Sequence, residues 1–347
     1  MTPVNAPSQG ARDALRMLFF ALNRSDELGR AIAAAGGFAV SSHEEREFDG
    51  GEHKARPLIS VRGKDVFVLH TLNGEAGASA NDKLCRLLFF LATCRENGAA
   101  RVTAIAPYLA YSRKDRQTKP GDPVTTRYVA ALFEAVQTDC VVTIDVHNLA
   151  AFQNAFHCRT LHLDTAQLFA AEILARCGEA PAAVFSPDGG GIKRAELLRE
   201  TLLQMRGGPV DFGFMEKRRS GGMVSGSLFA GDVAGREVWV VDDMIVGGGT
   251  MLRAAQACRA HGAARVHLLA AHPLLSQGAP ALLDDPAIDS ITVTDTAHCP
   301  ELAVARLGGR LRRLSVAPML AEAILRLHRP RPDDLLTGAD ADPVEDF

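Results

Sequence analysis

The chain is 347 residues long, 47% hydrophobic and 23% charged, with a formal net charge of −3. That length predicts two domains of ordinary size, and the balanced charge excludes a general nucleic-acid-binding or membrane-coating surface. Its cysteines, Cys85, Cys94, Cys140, Cys158, Cys177, Cys258 and Cys299, show no C-x-x-C spacing and mostly fall in apolar patterns. Buried reduced thiols are the expectation, as in a cytoplasmic protein.

In chain order, residues 1–16 read as a loose extension without the apolar core and cleavage site of a signal peptide. A strand is predicted over 18–22. Ser25 then caps a helix through Leu28, Ile32 and Ala33 that stops at Gly36-Gly37. A strand over 66–72 precedes a helix over 83–96, opened by Asn81 or Asp82 and stopped by Gly98. The apolar run 87–92 in that helix is too short to span a membrane and is flanked by Arg86 and Arg95. Further strands are expected over 102–106, 141–146, 183–185, 210–214, 238–241, 266–270 and 291–294, with helices between most of them. Such alternation implies α/β architecture with mostly parallel sheets covered on both faces. The runs 141–147 and 238–244 share a pattern of apolar strand followed by acid, which fits two similar halves. The expected units are 17–160, joined by a returning helix at about 316–328, and 161–315, followed by an acidic, Pro/Asp-rich tail over 330–347.

The most informative stretch runs from the apolar Val238-Trp239-Val240-Val241 into Asp242-Asp243, then through Met244 and Ile245 to Val246-Gly247-Gly248-Gly249-Thr250. A glycine-rich turn at a helix start points N–H groups at an anion, which makes a seat for a phosphate monoester. Two acids just ahead of the seat accept hydrogen bonds from vicinal hydroxyls, so the pattern describes a phosphorylated pentose. No Gly-Lys-Ser/Thr closes the turn, and it lacks the G-x-G-x-x-G spacing, so neither nucleotide loop applies. A plain strand–turn–helix corner is the alternative, but paired acids at the end of a buried strand are costly unless they bind something.

Three other clusters carry charge. Tyr108 to Thr118 holds Arg113, Lys114 and Arg116 just after a strand, either a solvated loop or a polyphosphate grip. His147 and Asp188 stand at two strand ends. An imidazole and a carboxylate so placed suffice for one Mg²⁺ when phosphate and water complete its octahedron. Lys217-Arg218-Arg219 leads into the glycine-rich 220–226, either a basic surface turn or a lid that brings cations onto a transferring phosphoryl group.

Tyr-Ser-Arg-Lys-Asp-Arg (111–116), Ile-Asp-Val-His (144–147), Ser-Pro-Asp-Gly-Gly-Gly (186–191), Lys-Arg-Arg (217–219) and Asp-Asp-Met-Ile-Val-Gly-Gly-Gly-Thr (242–250) stand in the order and rough spacing of ribose-phosphate diphosphokinase. The chain resembles that family, also called phosphoribosyl pyrophosphate synthetase, from about residue 18 to 328. The resemblance implies two phosphoribosyltransferase-like (type I) domains, each a mostly parallel sheet flanked by helices, and a homo-oligomer, dimeric or hexameric. It also implies Mg²⁺-dependent transfer of the diphosphoryl group of ATP to the 1-hydroxyl of ribose 5-phosphate, leaving AMP. Asp242 and Asp243 would hold the ribose hydroxyls, and Val246, Gly247, Gly248, Gly249 and Thr250 the 5-phosphate. His147 and Asp188 match the metal positions, Arg113 and Lys114 the ATP-contacting pair, and Lys217 and Arg219 the catalytic cations. Phe48-Asp49-Gly50-Gly51-Glu52 stands for a segment that reaches ATP across a subunit boundary, through Gly50, Gly51 and Glu52. The chain departs from the family at Val246, where Asp is usual, at Lys114, where Gln is usual, and in a shorter loop after Lys217. A catalytically silent regulatory relative and a phosphoribosyltransferase are the competing readings.

Overall fold

A computed structural model describes residues 17–220, 223–275 and 279–329, with the backbone alone over most of 217–227. The expected extension 1–16 and tail 330–347 lie outside the described residues.

The first half contains β1 (Met17–Ala21), α1 (Asp26–Gly36), β2 (His43–Glu47), β3 (His53–Pro57), β4 (Asp65–Leu69), α2 (Ala80–Glu96), β5 (Arg101–Ile105), α3 (Thr125–Ala135), β6 (Cys140–Ile144), α4 (Leu149–Ala155) and β7 (Arg159–Leu163). Its five-stranded sheet has the order β1-β4-β5-β6-β7, parallel throughout. The second half contains α5 (Ala166–Cys177), β8 (Ala182–Ser186), α6 (Ile192–Arg206), β9 (Asp211–Ser220), β10 (Met223–Ala230), β11 (Glu237–Ile245), α7 (Gly249–Ala260), β12 (Arg265–Pro273), α8 (Pro280–Asp284), β13 (Ser290–Thr294), α9 (Glu301–Leu307), β14 (Leu311–Leu314) and α10 (Ala317–His328). Its seven strands are ordered β10-β9-β8-β11-β12-β13-β14, parallel except where β10 turns back on β9.

Parallel strands covered on both faces must be apolar along their length, and β6 (Cys-Val-Val-Thr-Ile) and β8 (Ala-Ala-Val-Phe-Ser) are buried at every position. Helix α10 returns to α1, where Leu320, Ile324 and Leu327 close a core with Phe19, Ile32 and Phe67. Burial pushes the thiols of Cys94, Cys140 and Cys258 up to about 12 and that of Cys158 up to about 11, while Cys85 is exposed.

The structure corrects several local expectations. Strand β11 does not stop at its acids: Asp242 pairs with Ala270 and Met244 with His272, because β12 is long enough to continue the ladder. Ser25 occupies the N-cap position of α1 but makes no cap bond; its hydroxyl meets His70 Nδ1 at 3.1 Å and accepts from the Thr71 N–H. Helix α2 opens at Ser79, which forms a capping box with Asp82. Lys217 and Arg219 lie on strand rather than loop, since β9 and β10 form a hairpin with Lys217 opposite Ser227 and Arg219 opposite Val224. The last strand of the first sheet, β7, pairs with β6 and ends at Leu163, within the region 158–165 where the two units are expected to divide.

Candidate active site

In the second sheet the order reverses between β8 and β11, with β9 continuing on one side and β12 on the other. Ligands bind outside the carboxyl ends of strands at such a switch. Asp188 follows β8, and Asp242 and Asp243 lie in the carboxyl-terminal part of β11, so the acids stand at the switch. The carboxyl end of β6 delivers Asp145 and His147 from the first half.

A cavity of about 800 Å³ joins these strand ends, lined among others by Arg113, Lys114, His147, Asp188, Lys193 and Arg194. The two halves meet directly in it. His147 Nδ1–H donates to Asp243 Oδ2 at 2.8 Å, from an imidazole 40% exposed to a carboxylate 3% exposed. That bond raises the His147 pKa above the ordinary histidine value, against the pull of burial. Burial alone would raise Asp243, but the His147 bond and the Arg194 charge outweigh it and hold the carboxyl well below the usual range. Asp242 moves the other way: burial and the neighbouring Asp243 charge push its carboxyl up. Its Oδ1 accepts from the Asp243 N–H at 2.9 Å.

Asp145 has φ +39°, a left-handed conformation that costs a non-glycine residue energy and clusters at functional sites. It is buried, its carboxyl accepts from the Thr165 hydroxyl, and desolvation raises its pKa. His272 anchors the halves from behind. It is 2% exposed, burial pushes its pKa down to about 4, and Nε2–H donates to the Ile144 carbonyl at 3.1 Å. Its Nδ1 lies 2.8 Å from the Thr296 hydroxyl.

The donor set fits a divalent cation carried on phosphate. Asp188 Oδ1 accepts from the N–H groups of Gly190 and Gly191, at 2.9 and 3.2 Å, which fixes the carboxylate and leaves its second oxygen. His147 spends Nδ1 on Asp243 and keeps Nε2, the arrangement in which a carboxylate orients a ligating imidazole. Among the described residues no cluster of three metal-binding side chains exists. Mg²⁺ takes one or two protein ligands and fills its octahedron with phosphate and water.

The glycine corner follows directly. Gly248 is the N-cap of α7 at φ +73°, and the first-turn amides of Gly249, Thr250 and Met251 have no intrahelical acceptor. A Cβ on Gly248 would fall 2.9 Å from Leu282 Cβ. Residues 246–250 are absent from the lining of the large cavity, and Asp243 links the corner to it. In the basic loop the two expected cations differ. Lys114 is spent on Asp122 at 2.7 Å, whereas Arg113 is exposed and makes no ion pair among the described residues. Gly50, Gly51 and Glu52 form the exposed β2–β3 turn beside a separate small cavity that includes Arg86 and Phe89. The side chains of Lys217 and Arg219 lie outside the described residues.

Sequence reading missed Lys193 and Arg194, in the first turn of α6. A signal was present: cations at a helix N-terminus oppose the macrodipole, so two in succession after Asp188-Gly189-Gly190-Gly191 require another reason.

Residues 17–136 match the family described as the N-terminal domain of ribose phosphate pyrophosphokinase, and residues 226–333 the phosphoribosyl synthetase-associated domain. The ribose-phosphate pyrophosphokinase of Granulibacter bethesdensis is 35% identical over 312 residues, covering 90% of this chain and 96% of that protein. Ribose-phosphate pyrophosphokinase 1 of Streptococcus pneumoniae is 33% identical over 318 residues, covering 90% and 94%. The crystal structure of phosphoribosylpyrophosphate synthetase from Mycobacterium smegmatis matches with a TM-score of 0.80 at 30% identity, covering 90% of this chain and 98% of that one. Fold and site together define a two-domain enzyme of the type I phosphoribosyltransferase-like class, as the motifs implied. The chain belongs to the ribose-phosphate pyrophosphokinase family, transferases that make phosphoribosyl pyrophosphate for nucleotide biosynthesis.

Proposed function

We propose that the chain transfers the diphosphoryl group of ATP to the 1-hydroxyl of ribose 5-phosphate in a Mg²⁺-dependent reaction that releases AMP. The sugar oxygen bonds to the β-phosphorus, the bond from that phosphorus to the oxygen bridging to the α-phosphorus breaks, and AMP leaves with the electron pair. The hydroxyl proton passes to solvent. The observation that carries this reading is the 2.8 Å bond between His147 and Asp243, which ties the polyphosphate side of the cavity to the sugar side.

Asp242 and Asp243 hold the ribose hydroxyls, and the α7 amides behind Val246 to Thr250 take the 5-phosphate. Arg113 grips the nucleotide phosphates, with Lys114 released from Asp122 when they arrive. His147 and Asp188 hold the cation, which when bound neutralises phosphate charge. Such transfers need positioning and charge neutralisation more than a strong base, so Lys217 and Arg219 supply cations to the group in flight. The β2–β3 turn stands apart from the chain's own cavity, which supports a homo-oligomer in which Gly50, Gly51 and Glu52 serve a neighbouring subunit's nucleotide. Among the described residues no helix is long and apolar enough to cross a membrane.

Mass spectrometry of a donor–acceptor panel with Mg²⁺ tests the reading, with AMP and phosphoribosyl pyrophosphate expected in equal amounts. Lys217→Ala should lower kcat by roughly 10²–10³, the scale of losing one transition-state charge contact. A folded protein that makes no AMP with any donor would be the regulatory relative instead. Pyrophosphate release with a nucleobase and no ATP requirement would identify a phosphoribosyltransferase.

A further inference from the structure

Arg194 sits among carboxylates from both halves. Its Nη1 is 3.7 Å from Asp242 Oδ1 and 3.9 Å from Asp243 Oδ1, and its Nε is 3.9 Å from Asp145 Oδ1. Each is an ion-pair distance beyond hydrogen-bond length. Among the described residues its hydrogen bond is a long one, from Nη2 to the Val146 carbonyl at 3.4 Å. The guanidinium is therefore held by charge from three sides, and most of its N–H donors are unspent. Asp242, Asp243 and Arg194 itself belong to the second half, whereas Asp145 and Val146 belong to the first. The side chain is 18% exposed on the wall of the large cavity.

The His147–Asp243 bond crosses the halves at the same cavity, and two further contacts lie deeper. His272 reaches the Ile144 carbonyl, and the Thr71 hydroxyl donates to the Thr296 carbonyl, all buried. These fix the halves from behind, and Arg194 spans them at the cavity itself. A helix start is an unfavourable place for a cation, so its position there is not explained by the stability of α6.

The geometry points to Arg194 as a positioning residue: it clasps the sugar-side acids Asp242 and Asp243 to the Asp145–His147 strand end, setting the distance between the two bound substrates. This inference rests on the transfer reaction proposed above. Its planar fork serves two directions at once, which a single ammonium does not. A misplacement of about 1 Å between reacting groups costs on the order of 10²-fold in rate, and closing Arg194 onto its carboxylates is a movement of that size.

The test is steady-state kinetics of parent, Arg194→Ala and Arg194→Lys, with and without millimolar guanidinium, after circular dichroism has established folding. Arg194→Ala is expected to lose about 10²-fold in kcat while the nucleotide KM stays within about threefold. Guanidinium should restore part of that kcat and leave the parent unchanged. Arg194→Lys should keep charge and fold and recover less than the guanidinium-supplemented alanine variant. A folded Arg194→Ala with kcat within about threefold of the parent overturns the inference. So does a large loss that guanidinium does not relieve, which would mark Arg194 as structural. If the alanine variant does not fold, the lysine variant decides: a kcat equal to the parent's refutes the clasp, and a loss of about tenfold or more supports it. A parent that makes no phosphoribosyl pyrophosphate sinks the underlying reaction and this role together, whereas an active parent with an indifferent Arg194 sinks only the role.

Discussion

Asp242 and Asp243 are covalent neighbours whose acidities part because their surroundings differ. Asp243 receives the His147 proton donor and feels the Arg194 charge, while Asp242 is desolvated beside a carboxylate that is already ionised. The folded-state pKa of His147 is raised, so the pair's stabilisation is complete below the ordinary histidine value, about 6.5, and fades as pH rises through the folded midpoint. The depressed Asp243 contributes in the opposite sense: its share is present above the ordinary carboxylate value and is lost as pH falls through its folded midpoint. Because the imidazole is 40% exposed, solvent screening limits the pair to under about 1 kcal/mol. In Asp243→Asn the NMR titration midpoint of His147 should fall toward the ordinary value. A midpoint unmoved by the substitution would mean that the bond does not form in solution. Asp242, Asp243, His147 and Asp188 were all legible in sequence, since an acid or imidazole ending an apolar run is a costly placement without a ligand. Arg194 was missed: its place beside Lys193 in the first turn of α6 was the signal, but only the fold brings its three carboxylates together.

Among elements, the junction of β11 and α7 turns on one backbone angle. Gly248 adopts φ +73°, and an added Cβ would press on Leu282, whereas Gly247 has open space around it. Gly248→Ala should therefore destabilise by about 1–2 kcal/mol from the left-handed backbone alone, with more from the contact, and should weaken ribose 5-phosphate binding. Gly247→Ala should stay within about 0.5 kcal/mol. Urea unfolding of the two variants beside the parent, with calorimetry for the sugar phosphate, checks the contrast. Equal unfolding midpoints would contradict it. The strands buried on both faces were readable because their apolar runs are continuous. Strands β2 and β3 were not: His-Glu-Glu-Arg-Glu against His-Lys-Ala-Arg-Pro carries little apolar pattern, and ion pairs such as Arg56–Glu44 and Arg86–Glu47 dress the hairpin. The short β7 and β14 likewise lie at sheet edges, where burial imposes less on sequence. The start of α2 was misplaced because Asn81 and Asp82 are themselves good caps, and only the structure selects Ser79.

At the scale of the whole molecule, burial shifts histidines furthest at His70, with its pKa pushed down to about 3, and at His267 and His272, each down to about 4, among the described residues. A folded pKa below the unfolded one means that the unfolded chain binds protons first. Stability is therefore complete above about 6.5 and falls as pH drops toward 4. Each histidine contributes a slope of up to about 1.4 kcal/mol per pH unit in that window. His272 carries its share at the junction of the halves. Urea unfolding free energies measured between about pH 7 and pH 4.5 should decline steeply, and His272→Gln should flatten the decline. A flat profile for the parent would show that these rings titrate normally.

The uneven exposure of the thiols has a practical consequence. Cys94, Cys140, Cys177, Cys258 and Cys299 are buried and Cys158 is partly buried with its thiol pushed up to about 11, which makes Cys85, on the outer face of α2, the most accessible sulfur. It borders the same hollow as Gly51 and Glu52. A maleimide dye would thus attach there first, beside the turn expected to serve a neighbouring copy, and its emission would report subunit association without any engineered label.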